Sequence, residues 1–303
     1  MIKSLFQLFA SSMGYIIITT IHGLYLEKIT IPEKDNTRTS FLYLYGALTF
    51  YSFLCTVFSL VCLRIFSLNM LPSINKLYLV FGSIFHTLTT TISLTSLAFV
   101  AYPVHILVKS IKPPLFMVFL VFFSRRRFRI DDLLCGIFIS VGVIVFMDDK
   151  ISTFTINNQG NILLLLCLLF DALNCLMIDK LKTTGRFNEY QYMFWANFVC
   201  MILNIMLFIL FCALEQFEKL LLLFYISEVF LYSFTGILSQ LLNYLIVRWF
   251  GPLVGTIVAT MRKFISVFAS IIIFKHRFTP NRLLGIFMVI MGSIKLIHVE
   301  ITA

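Results

Sequence analysis

Apolar residues along this chain neither alternate nor form narrow amphipathic stripes; they gather into long runs separated by charges, prolines or short polar clusters. The runs lie at about 5–26, 41–66, 77–98, 101–123, 133–147, 160–178, 192–214, 222–247, 251–274 and 282–298. A helix that spans hydrocarbon needs about 20 predominantly apolar residues, and most of these runs reach that length. Within a bilayer the backbone is satisfied only in helices or closed barrels, and continuous runs without a two-residue period select helices. The pattern predicts an all-α membrane protein with ten transmembrane helices. The first run has only Lys3 before it and no small-residue cleavage pattern after it, so it is expected to be a retained helix. The connections are short, the longest at 27–40, 148–160 and 179–191, so chemistry has to happen among the helices.

Composition agrees. Of 303 residues, 60% are apolar and 13% charged, against about 45–50% and 25% in soluble domains. That balance excludes a soluble enzyme, a DNA-binding domain and a secreted disulfide scaffold, despite a net charge of +10. The seven cysteines all fall inside apolar runs and read as small buried residues. With the N-terminus cytosolic, the cytosolic side collects eleven Lys and Arg (Lys3, Arg64, Lys76, Arg125, Arg126, Arg127, Arg129, Lys180, Lys182, Arg186, Arg248). The other side holds eight (Lys28, Lys34, Arg38, Lys150, Lys219, Lys275, Arg277, Arg282). The excess predicts both termini in the cytosol.

The chain also repeats itself. Pro103 opens a run that ends in Ser-Arg-Arg-Arg-Phe at 124–128 and continues into Leu-Leu-Cys-Gly-Ile-Phe-Ile-Ser-Val-Gly at 133–142. Pro252 opens a run that ends in Lys-His-Arg-Phe at 275–278 and continues into Leu-Leu-Gly-Ile-Phe-Met-Val-Ile-Met-Gly at 283–292. An offset of 149 to 150 residues divides one transporter domain into repeats of about 1–155 and 156–303. Five crossings each give the two copies opposite orientation, and inverted repeats are an architecture of secondary transporters with a site near the midplane.

Charge inside the runs marks where that site would be. Lys109 and Lys112 share a face of the fourth run at i,i+3, and Arg262 and Lys263 lie ten and eleven residues beyond Pro252 in the ninth. A single charge at the bilayer centre costs roughly 2.5–3.5 kcal/mol on insertion scales, while the acids within the runs are few: Asp171, Glu228 and, at an edge, Glu27. The surplus of positive charge predicts a clamp for a polyanion, in which Arg offers a planar fork to phosphate oxygens and Lys a mobile point charge. Snorkelling to the interface is the other reading for Lys109, seven residues from Tyr102. Pro113 and Pro114 are expected to kink or break the helix beside Lys112.

Tyr15, Tyr102, His105, Asn174, Ser239, Gln240, Asn243 and Tyr244 can read the remainder of a substrate or act as interhelical hydrogen-bond glue. There is no Gly-x-Ser-x-Gly, no His-Glu-x-x-His and no phosphate loop, so neither an enzyme, a cofactor nor a metal is expected.

The stretches Tyr-Pro-Val-His-Ile-Leu-Val-Lys-Ser-Ile-Lys-Pro at 102–113, Phe-Gly-Pro-Leu at 250–253, Thr-Met-Arg-Lys-Phe at 260–264 and Gly-Leu-Tyr-Leu-Glu-Lys-Ile-Thr at 23–30 resemble the nucleotide-sugar transporters of solute carrier family 35, subfamily B. The likeness is greatest to the endoplasmic-reticulum branch of UDP-galactose transporter homologues, and runs from about Gly14 to Leu296. It implies a ten-helix drug/metabolite-transporter fold that exchanges a nucleotide or nucleotide sugar by alternating access. UDP-galactose or UDP-glucose would enter the lumen against a nucleoside monophosphate, with ATP/ADP exchange as the alternative. It also implies that Lys109, Lys112, Arg262 and Lys263 hold the phosphates and that Glu27 stands at a gate. Tyr102, His105, Gln240, Asn243 and Thr260 are the candidates for base, sugar or gate contacts. The chain departs from the family at His105, where Gln is usual, at Val108, at Leu26, and at Ala259-Thr260-Met261 before the Arg-Lys pair. These positions bear on base or sugar more than on phosphate.

Overall fold

A computed structural model describes residues 2–30, 37–70, 76–97, 99–100, 105, 108–146, 158–184, 187–214, 226–273 and 280–302. Among them the chain forms α1 (Ile2–Thr30), α2 (Thr37–Ile65), α3 (Lys76–Leu97), a 3₁₀ turn (Lys109–Ile111), α4 (Lys112–Ser124), α5 (Ile130–Phe146), α6 (Asn158–Thr183), α7 (Glu189–Leu214), α8 (Ile226–Phe250), α9 (Pro252–Ile273) and α10 (Pro280–Thr302). Six of these helices, α1, α2, α3, α6, α7 and α8, are long and apolar enough to cross a membrane, and α10 carries a shorter apolar stretch, Leu284–Ile297.

The distribution of side chains is that of a membrane protein. Phe9, Ile17, Phe53, Val61, Phe81, Phe122, Leu165, Ile209, Phe234 and Phe287 face outward, whereas Ser52, Ser59, Ser83, Ser96, Asn197, Asn204 and Ser233 are buried. In lipid the outer surface gains nothing from polarity, and small polar residues let helices approach and bond. Many hydroxyls are satisfied on their own helix: Thr56 donates to the Ser52 carbonyl at 2.7 Å, Ser59 to Cys55 at 2.8 Å and Ser83 to Leu79 at 2.8 Å. The protein is a multi-pass membrane protein.

Four helix partnerships dominate: α2 with α7, α3 with α6, α5 with α10, and α1 with α8. Lesser contacts join α3 to α7, α2 to α8, α4 to α6, α1 to α9 and α4 to α9. Phe116, Met117 and Leu120 of α4, Ile139 of α5, Leu176 of α6, Leu253 and Ile257 of α9 and Val289 of α10 form one core between them. The α5–α10 crossing is close because glycine permits it. A Cβ added to Gly142 would lie 2.9 Å from the Gly285 carbonyl oxygen and from Val289, and one added to Gly292 would lie 3.0 Å from the Cys135 carbonyl oxygen and 2.9 Å from Ile139.

One end of the bundle is held by polar clasps. Arg248 pairs with the buried Glu189, Lys182 donates to the Val247 carbonyl at 3.2 Å, and Gln191 and Trp195 donate to the carbonyls of Asn69 and Met70. Lys180 reaches the Phe123 carbonyl at 3.2 Å. The turns after α2, α4, α6 and α8 therefore meet at that end. The α8–α9 turn is made by Gly251, whose φ of 100° suits a residue without Cβ, and Pro252 then opens α9 where its missing N–H is not needed.

Candidate functional site

The site forms where α4 and α9 meet the middle of α6 and α1. Asp171 lies twelve residues from the end of α6, about 18 Å along the helix, and Arg262 ten residues into α9, about 15 Å. Both distances are close to half of the roughly 30 Å hydrocarbon core. The predicted break beside Pro113 and Pro114 is present: the 3₁₀ turn at Lys109–Ile111 precedes α4, and the prolines occupy its first positions. A proline at the start of a helix forfeits no hydrogen bond, and residues three apart in a 3₁₀ turn eclipse one another, so Lys109 and Lys112 stay on one side of the chain at this junction.

Each cation is held differently. Lys112 Nζ lies 2.7 Å from Asp171 Oδ1, with about a fifth of each side chain exposed. Lys109 Nζ donates to Ser93 Oγ at 2.6 Å, and Ser93 Oγ lies 3.0 Å from Nε2 of the buried His105. Because an ammonium only donates, the Ser93 hydroxyl accepts from Lys109 and retains a proton and a second lone pair with which to meet the imidazole. Arg262 Nη1 donates to the Thr19 carbonyl of α1 at 2.9 Å, while its buried Nε has no hydrogen-bond partner among the described residues. Lys263 interacts electrostatically with Arg262, Lys109, Lys112 and Asp171. The four predicted basic residues are thus gathered into one cluster with Asp171, four basic groups around one acid among the described residues.

An aromatic wall includes His22, which interacts electrostatically with Arg262. The His22 ring stacks on Tyr232 with centroids 4.5 Å apart and planes 20° apart, and Tyr51 lies 5.7 Å from Tyr232 and 6.2 Å from His22. His22 Nδ1 is 3.0 Å from the Tyr232 carbonyl, so that nitrogen carries the proton.

The other predicted contacts divide. His105 joins the cluster through Ser93. Gln240 is already engaged: its Oε1 accepts from Tyr51 Oη and Asn197 Nδ2, both at 3.1 Å, and its Nε2 lies 3.3 Å from Tyr244 Oη. That is interhelical glue across α2, α7 and α8, and Asn174 plays a similar part by accepting from Tyr192. Thr260 is buried and donates to its own helix at the Thr256 carbonyl, 2.9 Å away. Asn243 turns its Oδ1 toward Gly255 of α9. Glu27 lies near the end of α1, and its side chain, like the whole of Tyr102, is outside the described residues. Three partners escaped sequence reasoning: Ser93, the Thr19 carbonyl and the His22–Tyr51–Tyr232 wall. Asp171 was visible as an acid within an apolar run, and its i±4 neighbours Cys167 and Cys175 border Lys109 and Lys112.

Residues 7–299 match the model of the UAA transporter family. The chain belongs to the UAA transporter family. Among relatives of this transporter chain, solute carrier family 35 member B1 of Xenopus tropicalis is 28% identical over 210 residues, 65% of this chain and 64% of that protein. The Gallus gallus protein of the same name is 30% identical over 216 residues, 65% and 63% of the two chains. Adenosine 3'-phospho 5'-phosphosulfate transporter 1 of Caenorhabditis elegans is 27% identical over 241 residues, covering 74% of this chain and 55% of that one. The chain spans less than two thirds of the length of these relatives. A solved crystal structure superposes with a TM-score of 0.65 over 95% of both chains at 12% identity, so the UAA transporter chain shares its fold.

Proposed function

We propose that this protein is an antiporter of nucleotide-linked anions in the endoplasmic-reticulum membrane, with the Golgi as the alternative compartment and both termini cytosolic. UDP-galactose or UDP-glucose enters the lumen against a nucleoside monophosphate. The observation that carries the reading is the gathering of Lys109, Lys112, Arg262 and Lys263 at mid-depth with a single acid among the described residues around them. Such a cluster is stabilised by a polyanion and not by hydrocarbon. Unit charges about 6 Å apart at an effective dielectric near 20 repel by roughly 3 kcal/mol per pair, so the unloaded cluster resists closure and a bound pyrophosphate removes that resistance.

The architecture we propose is ten crossings in two inverted five-helix repeats, and the packing supports it. Moving each helix five places along exchanges α1–α8 with α3–α6, α3–α7 with α2–α8 and α4–α6 with α1–α9, and returns α2–α7, α4–α9 and α5–α10 to themselves; all of these contacts occur. The close glycines obey the same rule: Gly142 meets residues 285 and 289, and Gly292 meets 135 and 139, each shifted by 150. Lys112 and Arg262 are also 150 apart. In this scheme the halves rock about the site, Arg262 grips phosphate with its unused Nε, His105 and Asn243 flank the clamp, and the His22–Tyr51–Tyr232 wall offers a face to a base. Thr260 and Gln240 shape the walls, and Glu27 and Tyr102 are the candidates for gate contacts.

A second reading, adenine-nucleotide exchange such as ATP for ADP, is favoured by the match to a relative named for adenosine 3'-phospho 5'-phosphosulfate. Counterflow into liposomes preloaded with UMP or ADP decides between them. Uptake of labelled UDP-sugar driven by UMP supports the first, uptake of ATP driven by ADP the second, and no exchange by folded protein refutes both.

A further inference from the structure

Asp171 has no obvious duty in a site meant for anions. An acid there subtracts from the positive charge that would hold phosphate, and a purely structural counter-ion for Lys112 would be sealed away. Instead the Lys112–Asp171 pair keeps about a fifth of each side chain exposed. The carboxylate interacts electrostatically with Lys112, Lys109 and Lys263, three of the four cations. Arg262 is differently placed: it holds a neutral carbonyl and retains a buried Nε without a partner among the described residues. A first phosphate can therefore be accepted at Arg262 with nothing to displace, whereas a second phosphate reaching Lys112 has to take it from a carboxylate 2.7 Å away.

We propose that Asp171 is a specificity-determining residue, a tethered anion that fills the Lys112 subsite in the unloaded transporter and is displaced by the second phosphate of a diphosphate ligand. This rests on the phosphate-clamp reading above. The chemistry of the displacement is an exchange of one oxygen anion for another on an ammonium, with no bond made or broken. Its consequence is selective: the acid weakens ligands with two linked phosphates and leaves those with one nearly untouched. A diphosphate compound that enters is thereby prevented from binding too tightly to be released, while a monophosphate leaving in exchange is not handicapped.

The test is thermal stabilisation of the purified full chain in detergent, titrated with pyrophosphate and separately with orthophosphate. Asp171→Asn and Asp171→Ser are both used, so that one misfolded variant does not end the test, with Asp171→Glu as the charge-keeping control. The expected result is that pyrophosphate half-saturates the neutral variants at about tenfold lower concentration than wild type, as expected when one competing charge is removed. Orthophosphate shifts by less than about twofold on the same argument, and the Glu variant behaves as wild type. Unchanged or weaker pyrophosphate binding in the neutral variants overturns the proposal. So does equal tightening of both anions, which would mark a general field and not competition for one subsite. Nucleotide exchange by the wild type is measured in parallel: exchange that persists while Asp171 has no effect sinks this inference alone, and no exchange sinks the parent reading.

Discussion

In the two-repeat architecture proposed above, Lys112 and Arg262 occupy corresponding places and each reaches the first helix of the other repeat, yet they are held by different chemistry. Lys112 is paired with the Asp171 carboxylate of α6, and Arg262 rests on the Thr19 carbonyl of α1. One end of the clamp is charge-neutralised and the other is only oriented. A clamp with an open end and a latched end can take its ligand in order, first phosphate at Arg262 and second at Lys112, instead of requiring both at once. Two equal ends would bind either way round.

The largest effect expected from breaking this comparison is at the open end. Arg262→Ala should lower the initial rate of counterflow by about a hundredfold or more, and Arg262→Lys should recover only a minor part of it, because an ammonium restores charge but not the bidentate fork. Equal recovery by Lys would mean that Arg262 acts as a point charge, and the ends would then differ less than their geometry indicates.

Next is the latched end. Lys112→Ala leaves Asp171 unpaired inside the bundle, which costs about 3–5 kcal/mol; thermal unfolding in detergent should show it as a marked loss of Tm. Adding Asp171→Asn to Lys112→Ala should return most of the Tm and none of the transport. Arg262→Ala leaves only a carbonyl unpaired, a loss of about 1–3 kcal/mol, so the ratio of the two stability losses measures how unequal the ends are.

A smaller effect is expected at the α5–α10 seam, where the proposed repeats are alike. Gly142→Val and Gly292→Val each push a side chain against backbone on the facing helix, and overpacking of that kind costs about 1–3 kcal/mol. The two losses of Tm should agree; a loss on one side only would break the correspondence of α5 with α10. The smallest effect is at Ser93→Ala, which removes the acceptor that orients Lys109. About 1 kcal/mol of lost hydrogen bonding should appear as a severalfold rise in KM at unchanged maximal rate, read from uptake against nucleotide concentration.

The helices and the four cations were legible because long apolar runs and charges inside them are costly exceptions that a sequence displays openly. Pro113 and Pro114 announced the break that the 3₁₀ turn makes. The partners were not legible to the same degree. The acceptor for Arg262 is a main-chain carbonyl, which every residue owns, so nothing at Thr19 singles it out. Ser93 is one hydroxyl among many on α3 and acquires its role only when His105 and Lys109 are brought against it. Gln240 read as a ligand contact because polar side chains in lipid have two uses, and only the positions of Tyr51, Asn197 and Tyr244 show how fully it is engaged.

The seam between α5 and α10 is what two copies of a five-helix chain would make if they associated about a two-fold axis in the membrane plane, each inverted relative to the other. In such a dimer every residue comes twice: an acid opposite one lysine would stand opposite the other as well, cancelling two of the four positive charges. A single polypeptide is free of that constraint. Under the proposed repeat architecture, union of the repeats in one polypeptide is what lets Asp171 occur once, so that the seam stays symmetric while the centre need not be.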